Sequence, residues 1–316
     1  MTSISRRRFL HTAAGTASAL QLAHAARAFG LAAPDVCTLA AEQEVGPYYV
    51  SNEMIRQDIR ESKVGFPLML ELAVMDSRTC KPLAHAAVDV WHCDALGLYS
   101  GYTSMNPTGD GPGGPGGPPP GFDPSHPERR PPPPGASSFD PNHPDRPNGP
   151  PESAGRGGFQ PPAPKPTDKL TFLRGVQVTD AQGRVRFQTV FPGFYMGRTN
   201  HIHFKVRLGG HTGMADSHHT YLAGHTSHTG QVFFPEEVTV NLMKREPYAT
   251  HKIHRTTDKE DGIFTDQHGN LFLSRLQFMK PGTPEAGLRA ELAVAVDPTA
   301  TPKPAERGGP GAPPRS

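Results

Sequence analysis

The sequence predicts an all-β fold, a β-sandwich of mostly antiparallel strands with long loops and one short helix. Pro and Gly number 36 and 34 among the 316 residues, too many for a mainly helical chain, since both favour turns over helix interiors. Several short runs alternate apolar and polar residues, the period expected of half-buried strands. Turn signals separate these runs at short intervals, as they do in sandwich folds.

Composition sets the limits on size and class. A chain of this length holds one large domain or two, and 35% hydrophobic residues suffice for one core. The net charge of +2 gives no sign of a nucleic-acid partner. Three cysteines are too few for a disulfide framework. We therefore expect one domain over residues 68–296, preceded by an N-terminal arm at 29–67.

Residues 1–28 have the pattern of an export signal. The segment SRRRFL at 5–10 resembles the twin-arginine motif, and a mildly apolar stretch at 13–22 and small residues at 23–28 follow it. The apolar stretch is too short to span a membrane. A twin-arginine signal is read by a receptor and does not anchor the protein. We expect export by the twin-arginine machinery, already folded and loaded with cofactor, to the periplasm or outside the cell.

The destination permits disulfides, and the sequence leaves their pairing open. Cys80 and Cys93 lie on one apparent hairpin at mismatched heights, which disfavours a bond between them. Cys37 could reach Cys80 and staple the N-terminal arm to the domain. The alternative is three reduced, packed thiols.

The arm contains two adjacent tyrosines after a bend. Gly46-Pro47 marks the bend, and Tyr48 and Tyr49 follow it. These rings could serve packing or line a pocket, and we expect them to form a pocket wall.

The first strands are expected as two hairpins. Runs at 68–76 and 87–93 suit one hairpin, and runs at 172–180 and 184–190 suit a second. After the first hairpin a glycine turn places Tyr99 at the end of a strand, where a loop can direct its phenol into a site.

A biased segment interrupts the domain at 103–168. More than half of residues 111–160 are Pro or Gly. Such a segment buries too little apolar surface to offset its ordering entropy, so we expect a disordered insertion. The tail at 297–316 is Pro-, Gly- and Ala-rich and is expected to be disordered as well.

The central stretch of the chain is FPGFYMGRTNHIHFKVRL at 191–208. It begins as a turn and continues as a strand in which every second residue is apolar. Because strand side chains alternate between faces, His201 and His203 share the face opposite the core. Tyr195 and Arg198 lie just upstream, in a loop that can fold over the same place. A solvated strand edge carrying two histidines is the simpler alternative.

The remaining elements are shorter. A loop rich in Gly and His is expected at 211–228, followed by a short strand at 231–235. One helix is expected at 236–245, and final strands at 271–279 and 291–296.

A metal site is the strongest chemical hypothesis. Tyr99, Tyr195, His201 and His203 together offer two phenols and two imidazoles. A phenol with a pKa near 10 coordinates as phenolate only to a strong Lewis acid. Zinc prefers Cys, His and carboxylate, and calcium and magnesium prefer oxygen ligands alone. Ferric iron, Fe(3+), is therefore the natural candidate.

Six stretches resemble the intradiol ring-cleavage dioxygenases, and most nearly the exported, protocatechuate 3,4-dioxygenase-like branch. The resemblance covers roughly residues 37–102 and 169–280. It rests on GPYY at 46–49, VDVWHCDALGLYS at 88–100, FLRGVQVTD at 172–180, PGFY at 192–195, R-x-x-H-x-H at 198–203 and GQVFFP at 230–235.

The resemblance implies a role for each residue of the proposed metal site. Tyr99 and His201 match the family's equatorial iron ligands. Tyr195 and His203 match the axial ligands, and Tyr195 matches the tyrosinate that a catechol displaces.

The resemblance also implies the reaction. Arg198 matches the arginine beside the bound ring, where a fixed cation stabilises developing negative charge. Gln231 matches a glutamine of the pocket. The expected substrates are a catechol and O2, and the expected product is a muconate.

Two alternatives use the same residues differently. One is a non-enzymatic, exported β-sandwich binding module in which the tyrosines and histidines only pack. The other is a metal-binding protein that uses the histidines of 211–228. A homo-oligomer is compatible with every one of these interpretations.

Overall fold

The computed structural model describes residues 37–51, 53–105 and 165–305. Within these ranges eight strands form two four-stranded sheets, which confirms the all-β prediction. The strands are β1 Pro67–Asp76, β2 Ala87–Trp91, β3 Arg174–Val178, β4 Arg184–Val190, β5 His201–Ala215, β6 His218–Phe233, β7 Arg275–Phe278 and β8 Leu288–Val296. The helices are α1 Glu236–Leu242 and α2 Gly262–Asp266, with single 3-10 turns at Tyr248–Thr250, Gly269–Phe272 and Pro284–Ala286.

The first sheet has the order β4-β1-β8-β7, and the second has the order β3-β2-β5-β6. Neighbouring strands are antiparallel except β1 and β8, which run parallel. The two sheets enclose one apolar core, to which both contribute fully buried residues such as Leu70 and Phe187 from the first and Phe204 from the second.

The predicted hairpins are wrong in their pairing. β1 and β2 belong to different sheets, and so do β3 and β4. Each short connection therefore crosses from one sheet to the other. Both strands of each pair bury a face in the same core, so their alternation is the same as it would be in a hairpin.

The predicted loop at 211–228 is also wrong, because β5 and β6 continue through it as a long two-stranded extension. Asp216 and Ser217 form its turn, with φ of 46° and 68°. Left-handed values at both central positions are typical of a tight hairpin turn, for which Asn-Gly is the usual sequence signal. Most residues of the extension are exposed or only half-buried, with Thr220 and Tyr221 buried, so it carries little of the apolar alternation that identifies a strand.

The later elements match the predictions more closely. The expected helix begins at Glu236 but ends at Leu242. The strand expected at 271–279 is partly replaced by a 3-10 turn, which leaves only β7. The last strand begins three residues earlier than expected, at Leu288.

A disulfide between Cys37 and Cys80 ties the arm to the domain, and Cys93 is a buried free thiol. Backbone hydrogen bonds continue the attachment: Ala40 N donates to Ala295 O, and Gln43 N donates to Thr229 O. The arm thereby reaches from the first sheet to the edge of the second.

Three predicted segments lie wholly or mostly outside the described residues: the signal at 1–28, the insertion at 103–168 and the tail at 297–316. Among the residues that are described, no helix is long and apolar enough to cross a membrane.

We expect the disulfide to stabilise the fold. Cys37 and Cys80 are 43 positions apart, and closing a loop of this size contributes about 2–4 kcal/mol to the free energy of unfolding. The double variant Cys37→Ser/Cys80→Ser should lose about this much free energy of unfolding and should therefore unfold at a lower denaturant concentration. A thiol reductant should destabilise the wild type and leave the double variant unchanged; equal responses would contradict the assignment.

Candidate metal centre

Two residues of the site are histidines at the start of β5. Ile202, Phe204 and Val206 are fully buried in the core, so His201 and His203 point to the opposite face, as the alternation predicts. Both imidazoles are buried, and their Nε2 atoms lie 3.1 Å apart.

The two tyrosines approach from loops. The hydroxyls of Tyr99 and Tyr195 lie 3.4 and 3.5 Å from His201 Nε2. The loops that carry them touch where Gly193 N donates to Asp94 O at 3.2 Å. A Cβ at Gly193 would come within 2.3 Å of Asp94 O, so only glycine permits this approach. The structure thus brings all four sequence-predicted donors together.

The hydrogen bonds leave nitrogen lone pairs directed into the cluster. His201 Nδ1 lies 2.6 Å from Thr199 O, a carbonyl that can only accept, so Nδ1 carries the proton and Nε2 presents its lone pair to the other donors. His203 is held by stacking on Trp91, its neighbour on β2, with ring centroids 4.9 Å apart. The backbone at Gly46 covers the other ring edge, where a Cβ would lie 3.0 Å from His203 Cε1.

Burial sets the charge state of the donors. It raises the pKa of Tyr99 well above its usual value and raises the pKa of Tyr195 as well. Burial, together with the charge of His201, lowers the pKa of His203 well below its usual value. The neutral forms of the two phenols and of the His203 imidazole are therefore favoured, and a phenolate requires a strongly charged cation beside it.

The spacing of the donors fits a shared ion. Donor atoms about 2.0–2.1 Å from one ion lie about 3–4 Å from one another, and His201 Nε2 lies 3.1–3.5 Å from each of the other three donors. In the described part of the chain, no group of three or more His, Cys, Asp or Glu side chains is arranged to hold a metal. Any ion at this place must therefore be bound with the help of tyrosine oxygens.

Arg198 lies beside the donors, almost completely buried. Its Nη1 donates to the Tyr195 hydroxyl at 3.4 Å, and its Nη2 donates to Gln231 Oε1. Burial alone would lower the pKa of this guanidinium, but the neighbouring oxygens of Tyr195, Asp261 and Glu44 raise it, so it remains a cation.

Gln231 is positioned by β6, directly opposite His203 on β5. Its backbone N donates to Gln43 Oε1 at 2.6 Å, and its Nε2 donates to Glu44 O at 3.1 Å. The long hairpin between β5 and β6 thus returns Gln231 to the site despite its distance in sequence.

The two arm tyrosines have different places. Tyr48 stacks on Tyr99 with ring centroids 4.6 Å apart and forms a wall of the site, consistent with its predicted place in a pocket. Tyr49 packs against Trp91 and donates to Asp89 Oδ2 at 2.9 Å, so its contact with His203 is indirect, through Trp91. Tyr48 ends the turn that begins at Pro47 and Tyr49 follows it, so the two side chains leave the turn in different directions.

Sequence reasoning missed several residues of the site. Glu44 lies 3.9 Å from Arg198 Nη1, and Asp261 lies 3.0 Å from Arg198 Nε. Asp261 is far from the motifs in sequence and sits in an irregular segment, so no periodic signal identifies it. The sequence identifies Gly46 only as part of a bend, whereas in the structure its missing side chain makes room for His203.

Comparisons with known proteins give structural relatives only. No family model matches the chain, and no curated protein matches it. The intradiol ring-cleavage dioxygenase from Tetranychus urticae aligns with a TM-score of 0.58 and 27% identity, over 84% of this chain and 98% of that one.

Two bacterial structures align more loosely. The dioxygenase domain of a dioxygenase carbohydrate-binding protein fusion from Streptomyces sp. SirexAA-E has a TM-score of 0.42 and 20% identity, over 82% of this chain and 99% of that one. Catechol 1,2-dioxygenase from Pseudomonas arvilla C-1 has a TM-score of 0.38 and 16% identity, over 80% of this chain and 61% of that one. With TM-scores below 0.5, neither adds support.

The Tetranychus urticae likeness covers most of this chain and agrees with the family that the sequence motifs resemble. The chain is similar in fold and in sequence to intradiol ring-cleavage dioxygenases, which are oxidoreductases.

Proposed function

We propose that this chain is a non-haem Fe(III) enzyme that cleaves a catechol between its two hydroxyl-bearing carbons. The supporting observation is the geometry of two buried phenols and two buried imidazoles beside a buried arginine. Both tyrosine hydroxyls and His203 Nε2 lie within 3.5 Å of His201 Nε2. Catechol and O2 combine into a muconate-type dicarboxylic acid: one ring C–C bond breaks, and each of its carbons gains one oxygen atom of O2. No further reductant is consumed.

The donor set matches the proposed metal. Tyr99, Tyr195, His201 and His203 would hold Fe(3+), and the proton on His201 Nδ1 leaves Nε2 as a ligand. When bound, the ion supplies Lewis acidity and a template for the two catechol oxygens. Burial raises the pKa of the phenols, so this pair favours a cation of high charge over Zn²⁺ or Ca²⁺.

Tyr195 and Arg198 act on protons and charge. A Tyr195 phenolate is a strong base in this dry setting, because burial raises its pKa, and its oxygen can take a proton from a catechol hydroxyl. Arg198 Nη1 faces the same oxygen and stabilises negative charge on substrate atoms that replace it.

The aromatic surroundings exclude water. Tyr48, Tyr99, Tyr195 and Trp91 are all at most 8% exposed and pack around the histidines. A site closed to water strengthens the effect of each fixed charge on the bound ring.

Export to the periplasm or outside the cell belongs to the same proposal. It is supported by the twin-arginine motif at 5–10 and by the Cys37–Cys80 disulfide, a bond rare in reducing compartments. Protocatechuate and related catechols are the first substrates to test.

Tyr99→Phe should remove most of the iron and the visible colour that phenolate-to-iron charge transfer gives. Loss of a direct ligand should lower iron affinity by more than the roughly 10- to 100-fold that an outer partner costs. Metal analysis and a visible spectrum provide the measurement. Tyr248→Phe is the matched control, because Tyr248 is equally buried but bonds Phe191 O at 2.6 Å, away from the donors. Colour and iron retained in Tyr99→Phe would remove this residue from the ligand set.

Arg198→Ala should retain iron but lower kcat for catechol by about 100- to 1,000-fold, the usual cost of losing a donor that stabilises developing charge. Oxygen uptake measures the change. Arg207→Ala removes a guanidinium from β5, which follows Arg198 in the chain; Arg207 pairs with Asp89 at 3.5 Å, and its loss should leave kcat nearly unchanged. Turnover by Arg198→Ala equal to wild type would exclude Arg198 from the reaction.

A further inference from the structure

The segment between α1 and α2 contacts the residues that precede the metal-binding strand. Arg255 Nε donates to Asn200 Oδ1 at 2.8 Å, and the Thr199 hydroxyl donates to Asp258 Oδ1 at 2.8 Å. Asp261 is the last residue of this segment before α2, and it accepts hydrogen bonds from Arg198 in the site itself. The turn that leads into β5 is thus fixed by a part of the chain some sixty residues later.

Asp261 is completely buried and uses both carboxylate oxygens. They accept from Arg198 Nε at 3.1 and 3.0 Å, and Oδ2 also accepts from Thr199 N at 2.9 Å. Oδ1 accepts from Ile263 N at 2.8 Å at the start of α2. The carboxylate is therefore held by helix backbone on one side and holds Arg198 on the other.

We infer that Asp261 is the positioning residue of Arg198, an inference that rests on the proposed function. A guanidinium is planar, so anchoring Nε directs Nη1 and Nη2 together. With Nε on Asp261, these two nitrogens face the Tyr195 hydroxyl and Gln231 Oε1. Asp261 itself touches no predicted metal ligand.

The charge of Asp261 matters because Glu44 competes for the same guanidinium. The Glu44 carboxylate lies 3.9 Å from Nη1, on the arm side of Arg198. Without a carboxylate at Nε, attraction to Glu44 would draw the guanidinium towards the arm and out of the orientation that Asp261 holds. Asp261 balances that attraction and neutralises the buried cation from the side remote from the phenol.

The simpler role for Asp261 is to cap α2, and one substitution separates the two roles. Asparagine caps helices about as well as aspartate, and its single amide oxygen can take the place of Oδ1 and still accept from Ile263 N. Its amide nitrogen then replaces Oδ2, which accepts from Arg198 Nε and Thr199 N in the wild type. Asp261→Asn therefore retains the cap while removing the charge that Arg198 requires.

The test is a double-mutant cycle in the full-length, iron-loaded protein, with Asp261→Asn, Arg198→Ala and the double variant. Asp261→Asn should lower kcat/KM for catechol by about 100-fold, as expected when a catalytic group is misplaced by ~1 Å, with iron content unchanged. In the Arg198→Ala background the same substitution should have no further effect on kcat/KM. Equal losses in both backgrounds, or no loss in either, would overturn the inference.

Thermal melting provides a readout independent of turnover. Arg198→Ala leaves a buried carboxylate without its cation, so adding Asp261→Asn should raise the melting temperature of that variant. An unchanged or lower melting temperature would mean that the Asp261 carboxylate does not depend on Arg198 for its charge balance, and would contradict the inferred pairing. If either variant yields no folded protein, Asp261→Glu and Arg198→Lys form the second cycle, with the same non-additive loss expected.

Asp258→Asn is the matched control for charge loss from the same segment, since Asp258 bonds Thr199 and does not contact Arg198. Its loss of kcat/KM should be much smaller than that of Asp261→Asn; an equal loss would contradict a specific role for Asp261. Failure of the proposed function would be distinguishable, because the wild type itself would then not consume oxygen with any catechol.

Discussion

The burial of alternate residues on β5 is the constraint on which the site depends. Ile202, Phe204 and Val206 occupy the space between the sheets and are fully buried. Removing any of them from the core would expose apolar surface and leave a cavity, at a cost of about 1–5 kcal/mol depending on the residue. A strand fixed in this way must present His201 and His203 on its other face, and a slip by one residue would reverse both sets.

The polar groups on the other face of β5 must be packed against another part of the chain. Buried imidazoles and phenols are costly to desolvate without partners. The arm provides the cover, with Tyr48 on Tyr99 and the backbone of Gly46 against His203. Its attachment by the disulfide at Cys37 and by backbone bonds to both sheets keeps these contacts in place. Stability of the arm and the geometry of the site are therefore linked.

The buried positive charge near the donors is balanced by nearby carboxylates. Arg198 is a buried cation between two carboxylates, Asp261 on one side and Glu44 on the other. A buried guanidinium cannot lose its proton, so it requires such partners. This arrangement keeps a full positive charge beside the Tyr195 hydroxyl, where the proposed reaction develops negative charge.

Strand alternation and the spacing of R-x-x-H-x-H are local properties of the chain, so the amino-acid sequence alone was sufficient to predict the fold class, the face shared by His201 and His203, and the resemblance to a family. It could not determine that β1 and β2 lie in opposite sheets, since the alternation is the same for a hairpin and for a cross-sheet connection. Nor could it identify the partners of Arg198, because Glu44 and Asp261 reach it only through tertiary packing of the arm and of the segment before α2. The local pattern specifies which way a side chain points. The arm that covers the donors and the carboxylates that balance Arg198 come from distant segments, which only the folded chain brings together.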